Sequence, residues 1–263
     1  MAESFPRKSP SGIRVIIIGA GFAGLTAAIE CTRKGHSVIV LESFPDLKIL
    51  GDIISFGPNA GRIFESWPGV KEELLPILHD TPEIMLFDYL GDHIYTQVWD
   101  EDGYFGFKCN GHRGEIHEIV FNYAKKIGIE IKLDHNVTEY FETDTEAGVI
   151  CNGEKYVGDV VLAADGVRSK ARTIVLGYED HPKSSGYAVY RTWFSSEELA
   201  KDPLTGWLVN DGDKHVGYLG PDIHFLAAST KGGKEFSWVC THVVRCPLCE
   251  TTRDIKRTNS CLG

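Results

Sequence analysis

Ile13-Arg14-Val15-Ile16-Ile17-Ile18-Gly19-Ala20-Gly21-Phe22-Ala23-Gly24 decides how the chain folds. Its first six residues are apolar and mostly β-branched, as a strand buried on both faces of a parallel sheet requires. They run directly into a G-x-G-x-x-G. Leu25, Ala27, Ala28 and Ile29 then carry a helical pattern to Lys34, where Gly35 stops it. Ser37-Val38-Ile39-Val40-Leu41 reads as a second strand with Glu42 at its end. The stretch is a βαβ unit, and the fold class it predicts is α/β.

Each residue type in the unit has a physical task. Gly19 permits the tight turn out of the strand, Gly21 lets a pyrophosphate approach the backbone, and Gly24 allows close helix–strand packing. The helix N-terminus offers unpaired N–H groups and partial positive charge to phosphates. Glu42 follows Gly24 by 18 residues and can accept from the hydroxyls of an adenosine ribose. The bland alternative is a glycine-containing βα turn with no ligand. Strand, helix, second strand and acid in register favour a Rossmann-type dinucleotide site. An acid at the strand end suits a 2′-hydroxyl, so FAD or NAD fits and NADP is disfavoured here.

Outward from this unit, 263 residues suffice for one large or two smaller domains with a sizeable core. Lys and Arg number 27 against 37 Asp and Glu, a formal charge of −10. That argues against non-specific binding to nucleic acid or an anionic membrane. Seven cysteines, four of them scattered in periodic segments, suggest reduced thiols and a cytoplasmic protein. The polar N-terminal stretch, residues 1–12, carries no signal-like apolar core and is expected to be disordered; no apolar run is long enough for a transmembrane helix.

Ser43–Ile54 reads as a loop, followed by a helix from Pro58 to Trp67 and a second helical pattern from Val70 to Leu78 interrupted by Pro76. Glu83–Tyr89 and His93–Trp99 read as a hairpin turning at Gly91-Asp92. Arg113-Gly114-Glu115 opens a helix that Gly128 ends. Val137–Phe141, Gly148–Cys151 and Lys155–Val157 read as an antiparallel meander with Asn152-Gly153 as its tight turn. Asp159–Ala164 is a further buried strand ending in Asp165-Gly166, with a short helix expected from about Val167. From Gly186 the pattern becomes a largely antiparallel β region, with strands at 187–194, 206–209, 215–219, 223–228 and 236–242. The boundaries expected are 13–185, 186–243 and an aperiodic tail at 244–263. In that tail Cys246-x-x-Cys249 resembles half a zinc site without its partner pair, so no metal is expected.

Three constellations stand in order: Gly19 to Glu42, Gly111-His112-Arg113, and Asp165-Gly166-Val167-Arg168-Ser169-Lys170-Ala171-Arg172. With Gly51 and Pro58-Asn59-Ala60, they resemble the single-component FAD-dependent aromatic hydroxylases, of the p-hydroxybenzoate and salicylate hydroxylase type, over about residues 13–243. The resemblance implies that Gly19, Gly21 and Gly24 hold the FAD pyrophosphate and Glu42 the adenosine ribose. It further implies that Gly51 and Ile53 lie beside the flavin, although the family often has Gly-Ala-Gly-Ile where this chain has Gly51-Asp52-Ile53-Ile54. Arg113 would contact FAD through its guanidinium fork, and Asp165, Gly166 and Arg172 would serve FAD and nicotinamide binding. A cation at a helix start opposes the helix dipole, so Arg113 read as a plain surface residue would lack compensation; the plain reading of Asp165 is an N-cap. Tyr190-Arg191 and Tyr218 resemble substrate-cavity residues, and Arg191 with Tyr218 would orient a phenolate. The plain alternative is a salt-bridged strand arginine and a core tyrosine.

The activity so implied is monooxygenation of a phenolic or polyketide-like molecule of secondary metabolism with NAD(P)H and O2. Nothing after Val243 matches the family's later Gly-Asp motif. The alternative expectation is therefore a truncated, non-catalytic nucleotide-binding remnant lacking the C-terminal part of the family fold.

Overall fold

The computed structural model describes residues 8–47, 51–79, 81–98, 106–181 and 183–244. These form two compact units, and the chain crosses from one to the other and back. The first unit takes β1 (Arg14–Ile18), α1 (Phe22–Arg33), β2 (Ser37–Leu41), β3 (Ile53–Phe56), α2 (Pro58–Glu65) and α3 (Val70–Leu74). The second unit takes β4 (Glu83–Asp88) and β5 (His93–Val98). The chain returns to the first with β6 (Cys109–His112), α4 (Arg113–Lys126), β7 (Glu130–Lys132), β8 (Val137–Glu142), β9 (Ala147–Cys151), β10 (Glu154–Gly158), β11 (Val160–Ala163) and α5 (Arg172–Leu176). It ends in the second with β12 (Tyr187–Ser195), α6 (Glu197–Lys201), β13 (His215–Gly220), β14 (Ile223–Thr230) and β15 (Glu235–Val243).

The first unit is built on a parallel sheet in the order β11-β1-β2-β7. Four of the five β1 residues are buried, as the unbroken apolar run requires. One face packs on α1 and α4 through Ile17, Leu25, Ile29, Val40, Ile116 and Val120. Trp67 is nearly inaccessible in that core; its ring stacks on Tyr123 at 5.8 Å and its Nε1 donates to Glu30 Oε1 at 2.8 Å. The other face packs Ile16, Ile18 and Leu41 against Val149 and Cys151 of the meander β10-β9-β8. The meander's Asn152-Gly153 turn has φ of 50° and 83°, the positive pair that a tight two-residue hairpin needs.

The second unit is one six-stranded sheet, β12-β15-β14-β13-β4-β5, antiparallel except where β13 pairs with β4. The 83–98 hairpin, counted with the first domain by the sequence reading, is hydrogen-bonded into this sheet. The core lies on one side, where Val216, Ala227, Phe236, Phe87 and Trp238 meet Leu199, Leu208 and Val209.

Three local expectations are corrected. Gly206–Val209 is not a strand: Gly206–Leu208 is a 3₁₀ turn, closed by Leu208 N–H to Thr205 O at 3.0 Å and Val209 N–H to Gly206 O at 3.1 Å. A four-residue apolar run has no periodicity to separate the two forms. The loop after Glu42 ends sooner than read, because Ile53–Phe56 pairs antiparallel with Cys109–His112, and residues 109–112 form a strand the sequence reading left out. After Asp165 the chain makes a 3₁₀ turn (Gly166–Arg168) before the short α5, rather than one helix. Cys31, Cys109, Cys151 and Cys240 are free thiols; Trp99, the 244–263 tail beyond Val244 and its three cysteines lie outside the described residues. Among the described residues no helix is long and apolar enough to cross a membrane.

Candidate functional site

Parallel register places the motifs together. Ile18 pairs with Leu41 on one side and with Ala163 on the other. The next residues of the three strands, Gly19, Glu42 and Ala164-Asp165, therefore emerge side by side at the carboxyl edge of the sheet. Gly19 N–H donates to Leu41 O and Ala164 N–H to Ile18 O, both at 2.8 Å. In open parallel sheets this edge is where ligands bind. Here it opens into a cleft of about 860 Å³.

The glycines separate by role. A Cβ on Gly24 would stand 1.9 Å from Gly19 O, and one on Gly19, with φ +96°, would stand 2.5 Å from Ala164 O. Those two are required by the fold itself. Gly21 has an ordinary φ of −70° as N-cap of α1, and a Cβ there would meet nothing within 4 Å. Gly21 lines the cleft, so its missing side chain leaves room on the ligand side rather than inside the protein.

Around this turn the side chains are held firmly. Glu42 accepts from Ala20 N–H through Oε2 at 2.7 Å, and from Phe44 N–H at 2.9 Å and Ser43 Oγ at 3.2 Å through Oε1. Its carboxylate thus faces the turn. His117 lines the same cleft and donates from Nε2 to Ala20 O at 2.6 Å, which places the proton on Nε2. Arg113 is the first residue of α4; its N–H donates to Asp52 O at 2.8 Å and its side chain enters the cleft wall. Glu115 in the same first turn answers the unfavourable dipole. Arg168 and Lys170 add two further cationic residues to the lining.

Asp165 lines the cleft from the opposite strand. Its Oδ2 accepts from the Tyr140 hydroxyl at 2.9 Å and from Lys170 N–H at 3.0 Å. Its Oδ1 is buried and has no hydrogen-bond partner among the described residues. Burial pushes this carboxyl up, but hydrogen bonds from Ser169, Tyr140 and backbone N–H groups outweigh it and hold Asp165 below the usual range. Burial, with the hydrogen bond to Asp165 and its charge, pushes the Tyr140 phenol up.

Gly19, Gly21, Glu42, Arg113, Asp165 and Gly166 are thus brought to one cleft, and Gly24 stands just behind it. Gly51 and Ile53 are not among its described lining residues. They abut it indirectly: a Cβ on Gly51, whose φ is +149°, would stand 2.8 Å from Arg113 Cβ, and Ile53 pairs with His112. Arg172 is not in the lining either. The 3₁₀ turn carries it past the cleft, where its guanidinium pairs with Asp180 at 3.1 Å and donates to Val167 O at 3.3 Å. Arg168, four residues earlier, faces the cleft instead. His117, Tyr140, Arg168 and Lys170 were not singled out as site residues. For His117 a signal existed in its spacing of four from Arg113, which repeats one helix face; Tyr140 carried none, because its role depends on pairing between distant strands.

In the second unit Arg191 and Tyr218 do not share a face. Arg191 stands opposite Val239, which pairs with Leu226, which pairs with Gly217. Tyr218 belongs to the next row, with Phe225, Cys240 and Tyr190. Adjacent rows project to opposite sides of a sheet. Tyr218 stacks on Phe87 at 5.3 Å on the core side, and burial pushes its phenol up. Arg191 is exposed on the other side. The expected Arg–Tyr pair is therefore corrected: Tyr218 packs on the core side, and Arg191's own row on the other side runs through Val239, Leu226, Gly217 and Leu86.

Residues 14–48 match the family described as "FAD binding domain". The chain is 42% identical over 243 residues to asperlicin C monooxygenase of Petromyces alliaceus, covering 88% of this chain and 51% of that protein. It is 35% identical to the FAD-dependent monooxygenase okaB of Penicillium ochrochloron, covering 94% of this chain and 56% of that one. Among solved structures, CtdE in complex with FAD and a substrate superposes with a TM-score of 0.83 at 39% identity, over 90% of this chain and 58% of CtdE. FqzB superposes with a TM-score of 0.81 at 36% identity, over 92% and 56%. The chain spans about half the length of the curated relatives it matches. The resemblance of this chain to the FAD-dependent monooxygenases is thus shown in both sequence and fold, over most of its own length and about half of theirs.

Proposed function

We propose that the first unit holds FAD for a monooxygenase of secondary metabolism that acts on a small aromatic molecule with NAD(P)H and O2. The observation that carries this reading is the convergence of Glu42, the Gly19–Gly24 turn and Asp165 on one cleft at the sheet's carboxyl edge. It is supported by the sequence match to an FAD-binding domain and by relatives named as FAD-dependent monooxygenases. Bound FAD would supply the redox chemistry and the reaction with oxygen; the protein binds, orients and excludes water.

In this reading Gly21 and the start of α1 admit the diphosphate, which the helix N-terminus attracts. Glu42 holds the adenosine end through hydroxyl donors, as a carboxylate at a strand end can. Arg113, Arg168 and Lys170 offset the phosphate charge. Asp165 takes a hydroxyl of the nucleotide on its buried Oδ1. In the second unit Arg191, on its exposed sheet side, favours the anionic form of a phenolic substrate, which is the more electron-rich ring. The test uses the purified full chain: FAD titrated by fluorescence quenching, then NAD(P)H consumption measured with and without phenolic compounds. A yellow protein with FAD bound and substrate-stimulated NAD(P)H oxidation supports the reading. Absence of FAD binding at high nucleotide concentration overturns it.

A further inference from the structure

We propose that Tyr140, which lies outside every motif, is a positioning residue that holds the Asp165 carboxylate so that Oδ1 is reserved for a hydroxyl group of the bound flavin nucleotide. The inference rests on the FAD reading above and adds a residue to it. Tyr140 sits on β8 of the meander, opposite Val149, and packs partly buried against the cluster that contains Ile16, Ile18 and Val149. From there its hydroxyl reaches across to Asp165 Oδ2 at 2.9 Å, and Lys170 N–H reaches the same oxygen at 3.0 Å. These two donors share Oδ2, the Ser169 side chain adds to the hold on the carboxylate, and Oδ1 stays buried with no donor at hydrogen-bond geometry.

A buried carboxylate oxygen without a donor is costly and waits for one. An ionised carboxylate only accepts, so the ligand atom there must carry a hydrogen. A phosphate oxygen would be repelled. FAD offers hydroxyls on its ribose and on its ribityl chain, and both satisfy the requirement. Tyr140 can serve this purpose because its own proton is committed to Asp165. The direction of both titrations agrees: the phenol is pushed up and the carboxyl down.

The experiment measures the FAD dissociation constant from pH 5 to 8 for wild type, Tyr140→Phe and Asp165→Asn, with the ligand-free melting temperature as control. It also follows the Asp165 side-chain carboxyl by carbon NMR in ligand-free wild type and Tyr140→Phe. Glu42, Asp46, Arg113, His117, His135, Arg168 and Lys170 line the cleft in every variant, so the difference between profiles isolates Asp165. Tyr140→Phe should weaken FAD about tenfold at pH 7, the loss expected for one hydrogen bond to a charged group. Its affinity should fall further toward pH 5, because Asp165 without the phenol takes up a proton at higher pH; wild type should stay flatter over that range. Asp165→Asn should bind weakly with no such profile. Equal affinity and parallel profiles in wild type and Tyr140→Phe would overturn the role of Tyr140 while leaving FAD binding intact. No binding by wild type overturns the FAD reading itself. Should Tyr140→Phe fail to fold, the wild-type titration decides: an Asp165 carboxyl titrating in the ordinary range sinks the proposal.

Discussion

Gly21 and Gly24 are three residues apart and answer to different physics. Gly24 is glycine because the Gly19 carbonyl lies where its Cβ would be. Alanine there must push the helix off the strand, which costs about 1–3 kcal/mol as overpacking does. Gly21 has open space and an ordinary backbone. Alanine there should cost no more than the roughly 1 kcal/mol of a poor N-cap, yet weaken FAD by about tenfold or more by standing in the ligand's path. Urea unfolding and FAD titration on the two variants separate these outcomes. If Gly21→Ala binds as wild type does, the diphosphate does not approach that turn.

Among the elements, strand pairing decides which side chains can meet. The six-stranded sheet sorts its side chains into two sets, and Arg191 and Tyr218 fall in different ones. Tyr218 stacks with Phe87 and touches the Val216–Phe236 core. Tyr218→Ala should therefore lower stability by about 2 kcal/mol or more. Arg191→Ala, on the exposed side, should move the urea midpoint by less than about 0.5 kcal/mol, while reducing substrate-stimulated NAD(P)H oxidation. A stability loss of equal size in both variants would contradict this assignment of faces. The same logic explains Arg172. One 3₁₀ turn after Asp165 rotates it toward Asp180 and brings Arg168 to the cleft.

At the scale of the whole molecule, stability should depend on pH through the second unit. Burial, and the charge of His79 beside it, lower His215 from 6.5 to about 4; the two rings meet edge to face at 5.4 Å. A base whose folded pKa is depressed is neutral when folded and protonated when unfolded between those two values. The unfolded chain then binds more protons, so stability is full above about pH 6.5 and falls as the pH drops toward 4, by on the order of 3 kcal/mol. Urea midpoints between pH 7 and 4 check this: His215→Phe should flatten the slope. An unchanged slope would assign the acid sensitivity to other groups.

The sequence alone determined the βαβ unit, the meander with its Asn152-Gly153 turn and the antiparallel character of the second region. Each is a local pattern whose period or turn chemistry belongs to a few neighbouring residues. It also singled out Gly19 and Glu42, because a strand end followed by a glycine turn carries a signature of its own, and it offered Arg113 and Asp165 through the resemblance of their motifs to the FAD-dependent aromatic hydroxylases. Only the tertiary structure decided that these four reach one cleft, that Tyr140 and His117 brace it, and that Arg168 stands there in place of Arg172. It alone placed Arg191 and Tyr218 on opposite sides of their sheet. Those outcomes depend on the register between strands far apart in the chain, and a shift of one residue reverses every side chain while leaving the local pattern unchanged.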